Sequence, residues 1–208
     1  MTFDLPGHGD AASISASLPD TADLIIDALP PEPVALGGYS MGARVALHVA
    51  LRDPSRLRAL VVVGASRGIR DPREREERVA RDEALARHLE EVGVEVFLRE
   101  WLAQPLFERL GERAEADTRS ADAVGLANSL RYAGTGTQEW LGDRLGTLEV
   151  PTLALAGDAD TKFILEARAI AHAAVHARFA TISEAGHAAH LEQPERVAEV
   201  VADFLASA

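Results

Sequence analysis

The stretch Val34-Ala35-Leu36-Gly37-Gly38-Tyr39-Ser40-Met41-Gly42 joins two kinds of pattern within nine residues. Residues 34–37 form a short apolar run, typical of a buried strand, and a helical apolar pattern begins after Gly42. The G-x-S-x-G between them is the pattern of a nucleophile elbow, a sharp strand-to-helix turn that presents a serine. We expect the turn to require small residues at Gly38 and Gly42. A serine with only a structural role is the alternative, and the flanking strand and helix favour the elbow.

Further apolar runs predict the remaining strands of a sheet. They occupy 60–64, Thr152–Gly157 and, more weakly, Ala177–Ile182. Near-continuous apolar runs of this length are typical of buried parallel strands. Helical patterns separate or flank the runs, at 21–29, 42–51, 164–174 and Pro194–Leu205. Strands that alternate with helices predict an α/β fold with a parallel, three-layer sheet.

One region, residues 68–138, interrupts this alternation. It contains no convincing strand, only charged helical patterns at 72–91, Val94–Leu102 and 113–131. Binding sites in open α/β folds lie at the carboxyl ends of the strands. We therefore interpret 68–138 as a helical lid over that edge, and 1–67 with 139–208 as the core domain. The alternative is a set of ordinary surface helices.

A serine needs a base to activate it, so the seven histidines matter. In a fold with this elbow, the acid and then the histidine follow the serine along the chain. His187 lies in the loop after the last predicted strand and is preferred, while His190 is its local rival. His172 and His176 have one-turn helical spacing, but a solvated helix face explains them better than a metal site does.

The acid partner is expected in the loop after the strand Thr152–Gly157. Asp158 and Asp160 both lie there. The carboxylate would orient the His187 ring and stabilise its protonated form. The residues alone do not separate the two aspartates, and one of them is expected to cap the next helix.

Composition and charge exclude several functional classes. The chain has 208 residues, a net charge of −12 and no cysteine, which excludes disulfides and thiolate metal sites. The negative charge argues against nucleic acid as a partner. No apolar run reaches the roughly 18 residues that a membrane span needs, and the N-terminus has no secretory pattern. We therefore expect a cytoplasmic protein that does not bind membranes.

Together, these motifs resemble the α/β-hydrolases, and most strongly the 2-succinyl-6-hydroxy-2,4-cyclohexadiene-1-carboxylate synthases of menaquinone biosynthesis, which eliminate pyruvate from their substrate. The resemblance covers essentially the whole chain. Besides the elbow, its most distinctive segments are 4–9, 68–87, 101–107, 125–130, 157–163 and 185–190.

The resemblance implies site residues one by one. It assigns Ser40, His187 and, over Asp158, Asp160 as the triad, with the Met41 N–H in the oxyanion hole. The implied substrate contacts are Tyr39, Arg44, Arg78, Trp101 and Arg119.

Physical chemistry agrees with the arginines, since guanidinium groups bind carboxylates bidentately. The partner is then a small carboxylated molecule, and no cofactor or metal is implied. For Arg78 the alternative is a solvated helix face, and for Trp101 an aromatic core of the lid.

Two departures from the resemblance stand out. Ala43 replaces a usual glycine, a mild change. More seriously, the first three strands and first helix of the fold have no counterpart, nor does the loop that supplies a second oxyanion donor. Strand 34–38 would then face a gap or a short stub around Phe3 and Asp4. We expect the gene product to be longer and the 208-residue chain to be incompetent by itself.

Three functions are compatible with the sequence. The first is a carbon–oxygen lyase that eliminates pyruvate, with Ser40 activated by His187 and Asp160. The second is a serine esterase or other acyl hydrolase that uses the same triad covalently. The third is an inactive, truncated fragment. The arginine-rich lid favours the lyase, because the triad serves the first two equally.

Overall fold

A four-stranded parallel sheet organises the protein in the computed structural model, which describes residues 1–113 and 122–208. The strands are β1 (Val34–Tyr39), β2 (Leu57–Val63), β3 (Thr152–Gly157) and β4 (Ala177–Ile182). They lie in the order β1-β2-β3-β4, and all three pairings are parallel. The predicted parallel α/β fold is confirmed.

Helices connect and cover these strands, and the four longer ones outside 68–138 agree with the predicted helical patterns to within a few residues. Outside 68–138 they are α1 (Leu18–Ala28), α2 (Met41–Arg52), α6 (Thr161–Ala173), α7 (Ala189–Glu192) and α8 (Pro194–Leu205). α1 begins where the Ser17 side chain accepts a hydrogen bond from Asp20 N, with Pro19 in the first turn. The short helix α7 follows the His187 loop directly.

The region 68–138 contains α3 (Pro72–Val92), α4 (Val94–Leu102) and α5 (Ala123–Tyr132). The predicted helix at 113–131 is not continuous, because Asp122 within it has an extended backbone. Pro105–Arg113 is a 3₁₀ helix, and α5 begins only at Ala123, because the Asp122 side chain caps it by accepting from Gly125 N. Residues 114–121 of that prediction lie outside the described residues.

The core lies on both faces of the sheet, because side chains alternate along each strand. Leu60 and Val62 of β2 face a large cluster with α1, α2 and α6, whereas Val61 and Val63 face a second cluster with α8. A third cluster belongs to 68–138 alone and joins Ala86, Leu89, Phe97 and Ala127. The helical region therefore has a small core of its own.

β1 is the edge strand of the described sheet. Its residues are half-buried or exposed, whereas every residue of β3 is buried. Residues 1–5 form no strand, and a cleft of about 280 Å³ separates them from β1 and α2. Among residues 1–113 and 122–208, β1 pairs with β2 alone, so the expected stub around Phe3 is not formed.

Candidate active site

The turn between β1 and α2 has the backbone strain of an elbow. Ser40 adopts φ 48° and ψ −107°, a conformation that non-glycine residues rarely adopt. Its N–H donates to Val63 O at the end of β2, at 2.8 Å, which fixes the turn to the neighbouring strand. Such strain persists where the surrounding structure imposes it, and it is common at functional sites.

The glycine requirement of this turn is one-sided. A Cβ at Gly38 would lie 2.3 Å from Gly42 O, so only glycine fits there. A Cβ at Gly42 would meet nothing within 4 Å, so the expected requirement for a small residue is wrong at that position. The reason is geometric: the strand passes close to the helix backbone, while the Cβ direction at Gly42 points into open space.

Ser40, His187 and Asp160 converge, although 147 residues separate the first two in sequence. The serine Oγ lies 3.1 Å from His187 Nε2, and His187 Nδ1 lies 2.8 Å from Asp160 Oδ2. The His187 side chain is 1% exposed and that of Asp160 7%. Both distances are within hydrogen-bonding range for a serine, its base and the orienting carboxylate.

The two aspartates of the acid loop have different partners. Asp160 Oδ2 contacts the histidine, while its Oδ1 accepts from Phe163 N at 3.3 Å and caps α6. Asp158 Oδ1 instead accepts from Ala185 N at 3.3 Å. The aspartate that contacts the histidine is thus also the one that caps the helix, so Asp160 has both expected roles.

Tyr39 and His190 pack beside the histidine. The Tyr39 ring centroid lies 5.2 Å from that of His187 and 4.3 Å from that of His190. Burial raises the pKa of the Tyr39 phenol, and the carboxylates of Glu192 and Asp160 raise it further, so the phenol stays neutral. Burial also lowers the pKa of His190. The ring of His190 therefore neighbours the serine–histidine pair without replacing His187 in it.

Gly64 and Phe163 shape the His187 pocket, and sequence reasoning missed both. Gly64 directly follows β2 with φ +62°, and a Cβ there would lie 2.8 Å from His187 Cε1. The glycine thus makes room for the imidazole. The Phe163 ring packs against His187 in a tilted orientation, at a centroid distance of 4.3 Å. The available signal was a glycine at the end of a strand neighbouring the elbow, where backbone and ligand groups approach closely.

Arg44 on α2 and Arg78 on α3 are near enough for their charges to interact. Arg44 is buried and donates to the Ala133 carbonyl at 2.9 Å. Burial and, to a smaller extent, the charge of Arg78 lower its pKa to about 10, so it remains protonated at neutral pH. Arg78 donates from Nε to Asp82 Oδ1 at 2.7 Å. Asp82, which is buried, was missed by the sequence analysis.

Trp101 reaches the site through other rings. It stacks on Phe97 at 5.8 Å between centroids and lies 6.4 Å from Phe107. The Phe107 ring then meets His187 edge-on at 6.1 Å. Trp101 therefore both belongs to the small core of 68–138 and supports a ring that contacts the histidine.

Met41 and Arg119 are the remaining predicted site residues. Met41 is the first residue of α2, where a backbone N–H has no partner within the helix, and its Sδ accepts from Ser129 Oγ at 3.5 Å. Its oxyanion role stays a prediction. Arg119 lies outside the described residues.

The described parts of the chain contain neither a candidate metal site nor a candidate membrane-spanning helix. No group of three or more His, Asp or Glu side chains among residues 1–113 and 122–208 could hold a metal ion. No helix in the same ranges is long and apolar enough to span a bilayer.

Comparison with known proteins places these observations in a family. Residues 1–200 match the Alpha/beta hydrolase family. A Serratia proteamaculans 2-succinyl-6-hydroxy-2,4-cyclohexadiene-1-carboxylate synthase is 33% identical over 99% of this chain and 82% of its own length. A Bacillus subtilis protein, provisionally named as the same synthase, is 36% identical over 98% of this chain and 77% of its own.

Solved structures agree with the sequence relatives. The structure of MenH from S. aureus superposes with a TM-score of 0.92 at 32% identity, over 99% of this chain and 82% of that one. An esterase from Thermogutta terrifontis superposes with a TM-score of 0.79 at 26% identity, over 98% and 78%. With the family match over 200 residues and these relatives, the chain belongs to the alpha/beta hydrolase family.

Proposed function

We propose that this protein is a carbon–oxygen lyase that eliminates pyruvate from a carboxylated cyclohexene-type intermediate of menaquinone biosynthesis. The synthase relatives support this reaction. The observation that carries it is the pair of cationic side chains, Arg44 and Arg78, whose charges interact and of which Arg44 lies one turn after Ser40 on α2. The substrate is a small molecule with several carboxylates, and such a substrate needs fixed cations.

In the proposed reaction Ser40 acts as a base. His187 Nε2 takes the Oγ proton, and the serine oxygen takes a proton from a substrate carbon. The electron pair left on that carbon forms a double bond, the carbon–oxygen bond to the leaving group breaks, and the enolate of pyruvate departs. The enolate then takes up the proton that His187 received, directly or through solvent, which gives pyruvate and restores the neutral histidine, while the Met41 N–H stabilises developing negative charge.

Asp160 and the lid complete the proposed machinery. Asp160 orients His187 through Nδ1 and stabilises the ring while it is protonated. Residues 68–138 act as the lid, which carries Arg78 and the Trp101 ring system. Side-chain hydrogen bonds join this lid to the core, among them those from Ser129 to Met41, from Arg44 to Ala133 and from Gln138 to Ser66.

The second candidate is a serine esterase, in which Ser40 attacks an ester carbonyl and forms an acyl-enzyme. The Ser40–His187–Asp160 geometry suits this chemistry equally. The likeness to the Thermogutta terrifontis esterase favours it specifically. An esterase has no general need for two arginines whose charges interact in this way, which is why the lyase is preferred.

Pyruvate release separates the two candidates. Purified protein is given the pathway substrate, with pyruvate measured by a coupled lactate dehydrogenase assay, and separately a p-nitrophenyl ester. The lyase predicts pyruvate release well above ester turnover, and Ser40→Ala should lower it at least about 1,000-fold, as in other triad enzymes. Rapid ester turnover without pyruvate release would replace the lyase by the esterase.

A further inference from the structure

The backbone around His187 is held by a buried carboxylate. Glu192 is 7% exposed, and its Oε2 accepts from Gly186 N at 2.6 Å. Its Oε1 accepts from Ala188 N at 3.1 Å. These two amides flank His187 on either side. We propose that Glu192 is a positioning residue, whose carboxylate fixes the His187 loop so that the imidazole stays between Ser40 and Asp160.

The loop needs such support because it has little regular structure. No strand or helix includes residues 183–188, and Glu184 adopts φ 59°, which non-glycine residues rarely adopt. Hydrogen bonds from amides to a carboxylate are shorter and about twice as strong as those between neutral groups. One side chain with two oxygens thus fixes the backbone on both sides of His187.

The carboxylate is itself anchored by the chain that follows. Glu192 ends α7, and its N–H donates to Ala188 O at 3.0 Å, so the side chain is held over the loop that it binds. Asp160 contacts the His187 ring while Glu192 contacts its backbone. The imidazole is therefore fixed by two carboxylates with different tasks, one for ring orientation and one for loop position.

The proposed role of Glu192 rests on the proposed function, in which the rate of pyruvate release depends on the position of His187. Ser40 Oγ lies 3.1 Å from Nε2, so a small displacement breaks that hydrogen bond. A misplacement of about 1 Å can cost about 100-fold in rate. Loss of the Glu192 contacts is therefore expected to lower kcat while substrate binding at the arginines is retained.

The test variant is Glu192→Gln, which keeps the shape of the side chain. An amide has one acceptor oxygen and one NH₂ group, so it accepts from only one flanking N–H and opposes the other with a donor. We expect kcat for pyruvate release to fall about 10- to 100-fold with KM unchanged within about twofold. Fluorophosphonate labelling of Ser40 should slow by a similar factor, and the low-field proton signal of the His187–Asp160 hydrogen bond should broaden or vanish.

Glu195→Gln is the matched control, because Glu195 is exposed on α8 three residues further on. It should leave all three measurements unchanged. Glu192→Asp, one methylene shorter, keeps the charge but should reach only one amide, and should also lower kcat.

Rates are divided by the folded fraction from circular dichroism. Three outcomes would overturn the positioning role. The first is a fall in kcat no greater than the fall in folded protein, the second is a change in KM alone, and the third is a wild-type kcat in both Glu192 variants. Labelling depends on Ser40 and His187 and requires no pyruvate chemistry. If the unaltered protein labels but releases no pyruvate, the proposed lyase function fails while the role of Glu192 is still decided by labelling.

Discussion

His48 is a buried histidine that the proposed reaction does not use. It lies on α2 with a side chain that is 4% exposed, and its Nε2 has no hydrogen-bond partner among residues 1–113 and 122–208. Nδ1 lies 3.8 Å from Glu139 Oε1, which is half-exposed. Burial is the main reason that the His48 pKa is lowered to about 4. Glu139 raises this pKa, and the neighbouring arginines lower it by smaller amounts. The imidazole is therefore neutral in the folded protein at pH 7.

This neutrality makes stability depend on pH. Above about pH 6.5 His48 is neutral in both folded and unfolded chains. As the pH falls toward 4, only the unfolded chain takes up the proton, so folding is disfavoured. We expect the free energy of unfolding to fall by about 2 kcal/mol more between pH 7.5 and pH 5 in the wild type than in His48→Leu. Urea unfolding at both pH values measures this.

The control for that comparison is His172→Leu, since His172 is exposed on α6. Its pH dependence should equal that of the wild type. If His48→Leu also loses as much stability as the wild type on acidification, the buried imidazole is not the cause.

At the residue scale, the sequence predicted what is local. Ser40 could be recognised because strand, turn and helix lie within a dozen residues. Asp158 and Asp160 follow the same strand, so only the resemblance chose between them, and the contact to His187 agrees with that choice. Glu192 and Gly64 were missed, because their importance arises from a neighbour that the fold brings to them.

At the scale of elements, α3 contributes one arginine with a distinct environment. The Arg78 side chain is 28% exposed and paired through Nε with Asp82, which is 3% exposed. Its two terminal nitrogens lie outside that bond and can contact a carboxylate. Arg81, one turn away on the same helix, is 64% exposed and pairs with Glu77. The two arginines therefore differ in burial and in the rigidity of their partner.

We expect Arg78→Ala to raise KM for the carboxylated substrate by about 10- to 100-fold, since hydrogen bonds between charged groups contribute about 1.5–3 kcal/mol. KM for a neutral ester should change little. Arg81→Ala is the matched control and should alter neither value, because exposed ion pairs contribute little. Equal effects of Arg78→Ala on both substrates would contradict an anion-binding role, and steady-state kinetics decides this.

The helices and strands could be predicted from the sequence where their apolar residues recur with a regular period. The strands followed from β-branched apolar runs, and α8 was predicted at its observed bounds, Pro194–Leu205. The start of α5 was misjudged, because 113–122 is dominated by charged and small residues that carry no apolar period. The Asp122 cap was the available signal and was overlooked.

At the scale of the molecule, the parallel sheet assembles the site. β1 ends at Ser40, β3 leads to Asp160, and β4 is followed by the His187 loop, so the three side chains meet at one edge of the sheet. Strand order is a long-range property, and pattern reasoning alone predicts a sheet without its order. The site should therefore exist only when the whole core is folded, whereas residues 68–138 have a separate small core.

Leu155 on β3 tests this dependence. It is completely buried, it faces the second cluster, and its carbonyl accepts from Gly64 N at 3.0 Å beside the His187 pocket. We expect Leu155→Ala to lower the free energy of unfolding by about 2–5 kcal/mol, because the truncation removes buried methyl groups and leaves a cavity. Circular dichroism in urea measures the loss, and fluorophosphonate labelling of Ser40 is followed along the same titration.

Because one sheet supports all three site residues, labelling and the circular dichroism signal should be lost at the same urea concentration. This should hold in the wild type and in Leu155→Ala, with a lower urea concentration in the variant. Leu165→Ala is the control, since Leu165 is 62% exposed on α6 and its truncation should shift the midpoint little. Labelling that disappears well before the circular dichroism signal would show that the site opens independently of the sheet. The His187 loop would then unfold before the core, and loss of the Glu192 hydrogen bonds would be the expected cause.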